Sequence, residues 1–536
     1  MSVSANTSRR QFLTQLAVTA GLGMLTTALP APAAAKTSSL ATTRSGRIAG
    51  YADRGIHVFR GIPYGADTGT RRFQRALRES AWTGVRDAIR FGASAPQRGD
   101  ADGQPVSEDC LFLNVYTPAL RDGGTRPILF YIHGGGYNNG SGSHPLYDGV
   151  NLCRRGDVVV VTVNHRLNAF GYLYLGESGD ERVMDAGNVG QLDLLDALHW
   201  VRENAHEFGG DAGNVTVFGQ SGGGAKIATL MAMPEADGLF HKAMTMSGQQ
   251  VTAAGPRAAA QRSALFLTEL GLKPGDIDAL LAMPMARLLD ATRVRDPSRA
   301  ENTSLYFGPV LDARSLPRHP FYPDAPAQSA RIPMVIGNTR DETRAFLGND
   351  EANFALTWDQ LPQKLREQQY VDLSPEVVIA EYRRLYPDYT PSDVFFAATT
   401  AGRSWRGAVI EAEARARQGS PAWVYQLDWR SPAEGGRLRA FHTLDIPLVF
   451  DNIGAEGSKT GTDARARTMA ARMSGALLAL ARHGDPNHDG IPSWSPYTLP
   501  RRQTMVLDDV SGMQDDPRGG ERRLYERVPF IQRGTS

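Results

Sequence analysis

The sequence predicts an α/β protein in which a mostly parallel central sheet is flanked by helices, with helical insertions forming a cap over one catalytic domain. Three observations carry that expectation. Two short runs are apolar throughout and mostly β-branched or aliphatic, strand-like and helix-like segments alternate, and the middle of the chain is helix-rich and punctuated by proline.

From Ser45 to Tyr64 the segment SGRIAGYADRGIHVFRGIPY alternates apolar and polar residues between Gly and Asp breaks, which predicts short antiparallel strands. Pro127–Ile132 (PILFYI) and Val158–Val163 (VVVVTV) are too short for buried helices and read as central strands of a parallel sheet. Asn188 to Phe208 spaces Leu192, Leu195, Leu198 and Val201 as a helix does, and Asn214–Phe218 (NVTVF) reads as the next strand. The stretch from about Ala253 to Tyr425 reads as insertions and cap, without a repeat of about 20–50 residues.

Composition narrows the function. Of 536 residues, 41% are hydrophobic, 21% charged and 8% aromatic, the profile of a globular chain with a sizeable core. A net charge of +1 without a Lys/Arg-rich run leaves no electrostatic footprint for nucleic acid. Cys110 and Cys153 are the only cysteines, too few for a disulfide framework or a clustered Cys metal site, and read as two buried small hydrophobes.

Residues 1–35 read as a targeting peptide: Ser8-Arg9-Arg10-Gln11-Phe12-Leu13, a weakly apolar run to Leu29, then Ala33-Ala34-Ala35. Paired arginines ahead of Phe-Leu resemble a twin-arginine signal, with cleavage after Ala35 and export to the bacterial periplasm or medium. The alternative is an uncleaved anchor, since the run approaches spanning length. Residues 36–536 are then a single catalytic domain. Cleavage removes Arg9 and Arg10 from the 58 basic residues, leaving 56 against 57 acidic, or −1, which points to a substrate of little or no charge. After signal removal no stable membrane association is expected, because no other stretch approaches roughly 18 consecutive apolar residues.

Two motifs carry chemistry. Gly219-Gln220-Ser221-Gly222-Gly223 stands between the predicted Asn214–Phe218 strand and a helix start at Gly224–Ala228. A serine nucleophile needs such a tight turn to project its hydroxyl, with Gly219 and Gly223 clearing the space and Gly222 offering its N–H at the helix N-terminus. His133-Gly134-Gly135-Gly136-Tyr137 follows the other predicted strand, and its glycines let the amides of Gly135 and Gly136 converge with that of Gly222 as an oxyanion hole. A phosphate-cradling loop would need a Lys-Ser/Thr ending that is missing here.

With these motifs in view, the chain resembles the type B carboxylesterases of the α/β-hydrolase fold, the group of bacterial p-nitrobenzyl-type esterases and animal cholinesterases. The resemblance runs through FRGIPYG (59–65), SEDCLFLNVYTP (107–118), HGGGY (133–137), NHRLNAFGYL (164–173), GNVGQLDLLDALHWVRENAHEFGGD (187–211), FGQSGGG (218–224) and GDPN (484–487). It implies a triad of Ser221, Glu342 in GNTRDET (337–343) and His442 in FHTLDIP (441–447). His442 would take the Ser221 proton and return it to the leaving alkoxide, which suits an imidazole with an ordinary pKa near 6.5, and activity is expected to fall below roughly pH 6. Glu342 would orient the ring, with adjacent Asp341 as its competitor. Tyr137 and Phe307 are candidate substrate-binding residues. The expected reaction is hydrolysis of a small-molecule ester through an acyl-enzyme; a thioesterase, amidase or lipase-like activity on the same triad, and a non-catalytic binding module, are the rivals.

The sequence also departs from the family. Where members pair the cysteine of EDCLFLN with one in F-G-x-x-C-P-Q, this chain has Ala95, so Cys110 lacks that partner. No tryptophan lies in 95–110, which disfavours choline esters. GQSGG replaces the commoner GESAG, and Thr343 stands where glycine is usual. Asp485–Gly490 imitates a calcium loop but has Pro496 at its twelfth position, and His206-Glu207 lacks the second zinc-site histidine, with Gly210 in its place. No metal or other cofactor is expected.

Overall fold

The computed structural model of the chain describes residues 38–99, 101–297 and 303–532. The expected targeting peptide at 1–35 lies outside them. Thirteen strands among the described residues form one sheet. Its N-terminal flank holds β1 (Ser38–Thr42), β2 (Arg47–Asp53), β3 (Ile56–Pro63), β4 (Val85–Asp87) and β5 (Phe112–Thr117). Its centre holds β6 (Arg126–Ile132), β7 (Val159–Val163), β8 (Gly210–Gln220), β9 (Lys242–Met246), β10 (Met334–Thr339), β11 (Ala422–Leu427) and β12 (Gln503–Leu507), and β13 (Gly512–Asp515) closes the far edge. The order is β1-β2-β3-β5-β7-β6-β8-β9-β10-β11-β12-β13, with β4 beside β2. Every neighbour pair from β7 to β12 is parallel, while β1 to β5, apart from β4, and the β12–β13 pair run antiparallel.

The predicted strands at 127–132, 158–163 and 214–218 are thus β6, β7 and the second half of β8, and the antiparallel signal at 45–64 is the β2–β3 hairpin. β6 shows why an apolar run without alternation makes a central strand. Ile128, Phe130 and Ile132 enter the core on one face, with Leu192 and Leu195 of the helix Val189–Asn204. Leu129 and Tyr131 enter the opposite core, with Met469, Met473 and Leu477 of the helix Ala464–His483. Burial on both faces removes the polar half of the pattern, and each such side chain contributes roughly 1.5–3 kcal/mol. Cys110 and Cys153 are free and buried in these cores.

The stretch from Ala253 to Tyr425 is not insertion throughout. β10 lies within it, buried at all six positions, and the helix Arg406–Gln418 lays Ala408 and Ala412 on the same core as β6. Only Met334-Val335-Ile336 of β10 is apolar; Gly337-Asn338-Thr339 completes the strand without a hydrophobic signature, which hides it from a pattern reading. The true insertions pack into two smaller cores that they share with the catalytic domain, the first through Tyr137, Phe170 and Tyr172 and the second through Leu524 and Tyr525. Pro256–Glu269, Ile277–Leu281 and Met285–Ala291 pack around Phe266 and Leu288, and Leu361–Gln368, Pro375–Leu385 and Pro391–Thr400 around Leu365, Tyr382 and Phe395.

Parallel pairing brings the carboxyl ends of five strands to one edge. Ile132 is in register with Gly219, Gln220 with Met246, Met246 with Gly337, and Thr339 with Leu427. Ligands of open α/β sheets bind outside this edge. Among the described residues no helix is long and apolar enough to cross a membrane.

Candidate active site

β8 ends at Gln220 and the helix Gly222–Leu230 begins one residue beyond Ser221, so Ser221 alone makes the turn. Its φ of 56° and ψ of −125° are strained for a residue with a side chain, at about 1–3 kcal/mol. The neighbouring backbone holds it there. The Ser221 N–H donates to the Met246 carbonyl at 2.8 Å. A Cβ on Gly248 would stand 1.9 Å from the Ser221 carbonyl oxygen, and one on Gly223 would stand 2.0 Å from that of Ile132. Only residues without side chains let β6, β8 and the loop after β9 close this far around the serine.

The loop His133–Tyr137 leaves β6 beside that turn, with Gly135 and Gly136 at φ 81° and 62°. The amides of Gly135, Gly136 and Gly222 donate to no described residue, and all three glycines line one cleft with Ser221. The loop is clamped from behind. Asn168 donates its backbone N–H to the Tyr137 carbonyl at 2.6 Å and its amide to the Asn138 carbonyl at 3.2 Å. Lys226, fully buried one helical turn beyond Gly222, donates to the His133 carbonyl at 3.1 Å. Burial pushes its ammonium down to about 7. The His133 and His165 rings stack beside it at 4.8 Å, and burial together with the Lys226 charge lowers the pKa of both, which keeps them neutral.

His442 and Glu342 arrive from the loops after β11 and β10. His442 Nδ1 donates to Glu342 Oε2, and Glu342 Oε1 accepts the Thr339 N–H at 3.0 Å. Burial works to raise the Glu342 pKa, but the His442 charge and the surrounding hydrogen bonds outweigh it and leave the carboxyl below its ordinary value. The group is therefore a carboxylate at neutral pH. Asp341, the competitor, faces Arg344 at 3.4 Å and Arg439 at 3.8 Å instead. Thr343 ties the acid turn to the helix Pro391–Thr400, its hydroxyl lying 2.9 Å from the Phe396 carbonyl and 2.8 Å from the Thr399 hydroxyl. With the proton held on Nδ1 and donated to Glu342, Nε2 of His442 is an acceptor, and it takes the Gln220 amide N–H at 3.0 Å. The Ser221 hydroxyl makes no hydrogen bond to a described residue.

The cleft encloses about 770 Å³, a volume suited to a small molecule, and Ser221, Glu342, His442 and Tyr137 all line it. Phe307 does not: it is buried in the cap core, its ring edge-on to Phe266 at 5.7 Å. Its candidacy as a substrate contact is corrected on that ground, since an apolar residue in a helix-rich stretch gives no sign of which face it takes. Sequence reasoning also missed Phe346, whose ring lies 4.7 Å from that of His442, the Asn168 clamp and Arg403 on the cleft wall. Gln220 and Thr343 were visible as departures from the family pattern, and Phe346 and Arg403 fall in no motif.

The model of the carboxylesterase family matches residues 37–522. A para-nitrobenzyl esterase of Bacillus subtilis (strain 168) is 35% identical over 502 residues, covering 91% of this chain and 98% of that protein. A phenmedipham hydrolase of Pseudarthrobacter oxydans is 33% identical over 492 residues, covering 88% and 96%. Among solved structures, a carboxylesterase of Geobacillus stearothermophilus at pH 6.2 aligns with a TM-score of 0.80 and 38% identity over 91% of this chain and 99% of that one. With the α/β-hydrolase fold and these matches along nearly its whole length, the chain belongs to the carboxylesterase family and is a carboxylic ester hydrolase.

Proposed function

We propose that the protein hydrolyses carboxylic esters in two acyl-transfer steps through Ser221, His442 and Glu342. Ser221 attacks the ester carbonyl while His442 Nε2 takes its proton, and the amides of Gly135, Gly136 and Gly222 receive the developing oxyanion. His442 then protonates the departing alkoxide, and a water that it activates frees the acid from the Ser221 acyl-enzyme. Glu342, ionised and bonded to Nδ1, keeps the ring in the tautomer that leaves Nε2 able to accept a proton. The observation that carries this reading is the strained Ser221 turn, which opens into the same cleft as three undonated glycine amides and a carboxylate-anchored imidazole.

The test is hydrolysis of p-nitrophenyl esters from acetate to dodecanoate by the mature protein and by a folded Ser221→Ala variant. A loss of at least about a thousandfold in kcat/KM supports the assignment. Full activity in the variant would move the nucleophile elsewhere. We further infer that residues 1–35 export the folded enzyme, on the strength of Arg9-Arg10 ahead of Phe12-Leu13. Replacing both arginines with lysine is expected to hold the precursor in the cytoplasm, and unchanged export would reject a twin-arginine route.

A further inference from the structure

The oxyanion amides lie on two different elements, and one buried lysine touches both. Gly135 and Gly136 stand in the loop His133–Tyr137 after β6, and Gly222 opens the helix Gly222–Leu230. The two backbones meet: a Cβ on Gly222 would stand 2.0 Å from the Gly136 carbonyl oxygen, and one on Gly134 would stand 3.0 Å from that of Gln220. Glycines permit this approach but have no side chains to fix it. The spacing of the amides is left to whatever holds the loop against the helix.

Lys226 supplies that hold. Its backbone carbonyl accepts the Gln191 amide at 3.1 Å, which ties its helix to the helix Val189–Asn204. From that fixed point Nζ donates to the His133 carbonyl at 3.1 Å and stands 5.6 Å from the centroid of the Tyr137 ring. His133 opens the loop and Tyr137 closes it, so one ammonium engages both ends of the segment that carries Gly135 and Gly136. Tyr137 is anchored a second time, its hydroxyl donating to Gln250 Oε1 at 2.9 Å.

The lysine opposes folding where it stands. Lys226 is fully buried and among the described residues has no carboxylate partner, and burying an unpaired charge is unfavourable. The flanking rings give no counter-charge: His133 and His165 each donate from Nδ1 to a backbone carbonyl, at 3.0 and 2.9 Å, and stay neutral. Packing alone would be served as well by methionine, which is apolar and adapts to irregular core space. What the lysine adds is a charge-assisted hydrogen bond to the loop, stronger than a neutral one.

We propose that Lys226 is a positioning residue for the oxyanion hole: by holding both ends of the His133–Tyr137 loop against the helix of Gly222, it sets the spacing of the three amides. The proposal rests on the Ser221 reading. The amides meet full charge only after Ser221 Oγ has bonded to the carbonyl carbon, its proton has passed to His442 and the C=O π pair has moved to oxygen. A spacing error therefore weakens the tetrahedral state and leaves substrate binding nearly untouched.

The experiment uses Lys226→Met, which nearly keeps the length of the side chain and removes the charge and the donor. On p-nitrophenyl butyrate, kcat is expected to fall at least about tenfold with KM within about twofold. Inhibition reads the same distinction. Hexyl trifluoromethyl ketone, which Ser221 converts to a tetrahedral adduct with an oxyanion, should bind about tenfold more weakly or worse. Hexyl methyl ketone, which stays trigonal, should bind as before. Tm at pH 7 is expected to hold or rise, since the variant buries no charge. The proposal is overturned if kcat is unchanged. It is also overturned if Lys226→Met fails to fold, or loses Tm while its affinities for both ketones fall together, since the lysine is then a packing residue. A wild type that cleaves no p-nitrophenyl ester brings down the hydrolase reading and this one with it.

Discussion

Gln220 donates its amide N–H to Nε2 of His442, the lone pair that must receive the Ser221 proton. The contact occupies that lone pair while the cleft is empty and must open when substrate brings Ser221 into play. A neutral amide does this without favouring the imidazolium. A carboxylate of the same length would favour the protonated ring, because an opposite charge within a few ångströms stabilises the charged form. Gln220→Glu is therefore expected to move the acid limb of kcat/KM to higher pH by about 0.5–1 unit, with the rate at the optimum changed far less. A limb that stays put would detach Gln220 from the electrostatics of the base. The sequence displays glutamine at this position, but spacing does not encode where a side chain points after a strained turn, so its partner became legible only in three dimensions.

At the scale of elements, legibility followed homogeneity of pattern. β6, β7 and the helix Val189–Asn204 could be read because each repeats one chemical rule along its length, and the Ser221 turn because glycines are obligatory where backbones pass this closely. β10 and the acid turn after it could not. Their position is set by tertiary hydrogen bonds, chiefly from Thr343 to the Phe396 carbonyl and the Thr399 and Thr400 hydroxyls. A threonine where glycine is usual raised a doubt about pocket shape, and the structure gives it the task of fastening Glu342 to the cap. Thr343→Val keeps the shape and removes those bonds, at about 1–3 kcal/mol. The expected outcome is a lower Tm and a severalfold lower kcat with KM nearly unmoved, since Glu342 acts on His442 and not on bound substrate. A KM that rises while kcat holds would mean that the turn shapes the pocket instead.

Across the whole molecule, folding buries ionisable groups that transfer no proton in the proposed chemistry, and they make stability depend on pH in opposite senses. Glu411 is fully buried, accepts the Gln250 N–H at 2.7 Å through Oε1 and has no partner at Oε2 among the described residues. Burial pushes its carboxyl up to about 8 from an ordinary 4.5. Between those values the folded chain keeps a proton that the unfolded chain releases, so the contribution of Glu411 is whole below pH 4.5, declines as pH rises and is gone above about 8. Lys226 acts the other way: its ammonium is lowered from 10.5 to about 7, the unfolded chain binds the extra proton between those values, and stability gains as pH rises through them. Glu411→Gln removes the first dependence and leaves the second. Thermal unfolding of wild type and Glu411→Gln from pH 5 to 9 should show the variant gaining on wild type up to about pH 8, by on the order of a few kcal/mol, and keeping a constant lead beyond it. Two curves that run parallel over the whole range would mean that Glu411 is ionised inside the fold, and that a cation or water reaches Oε2.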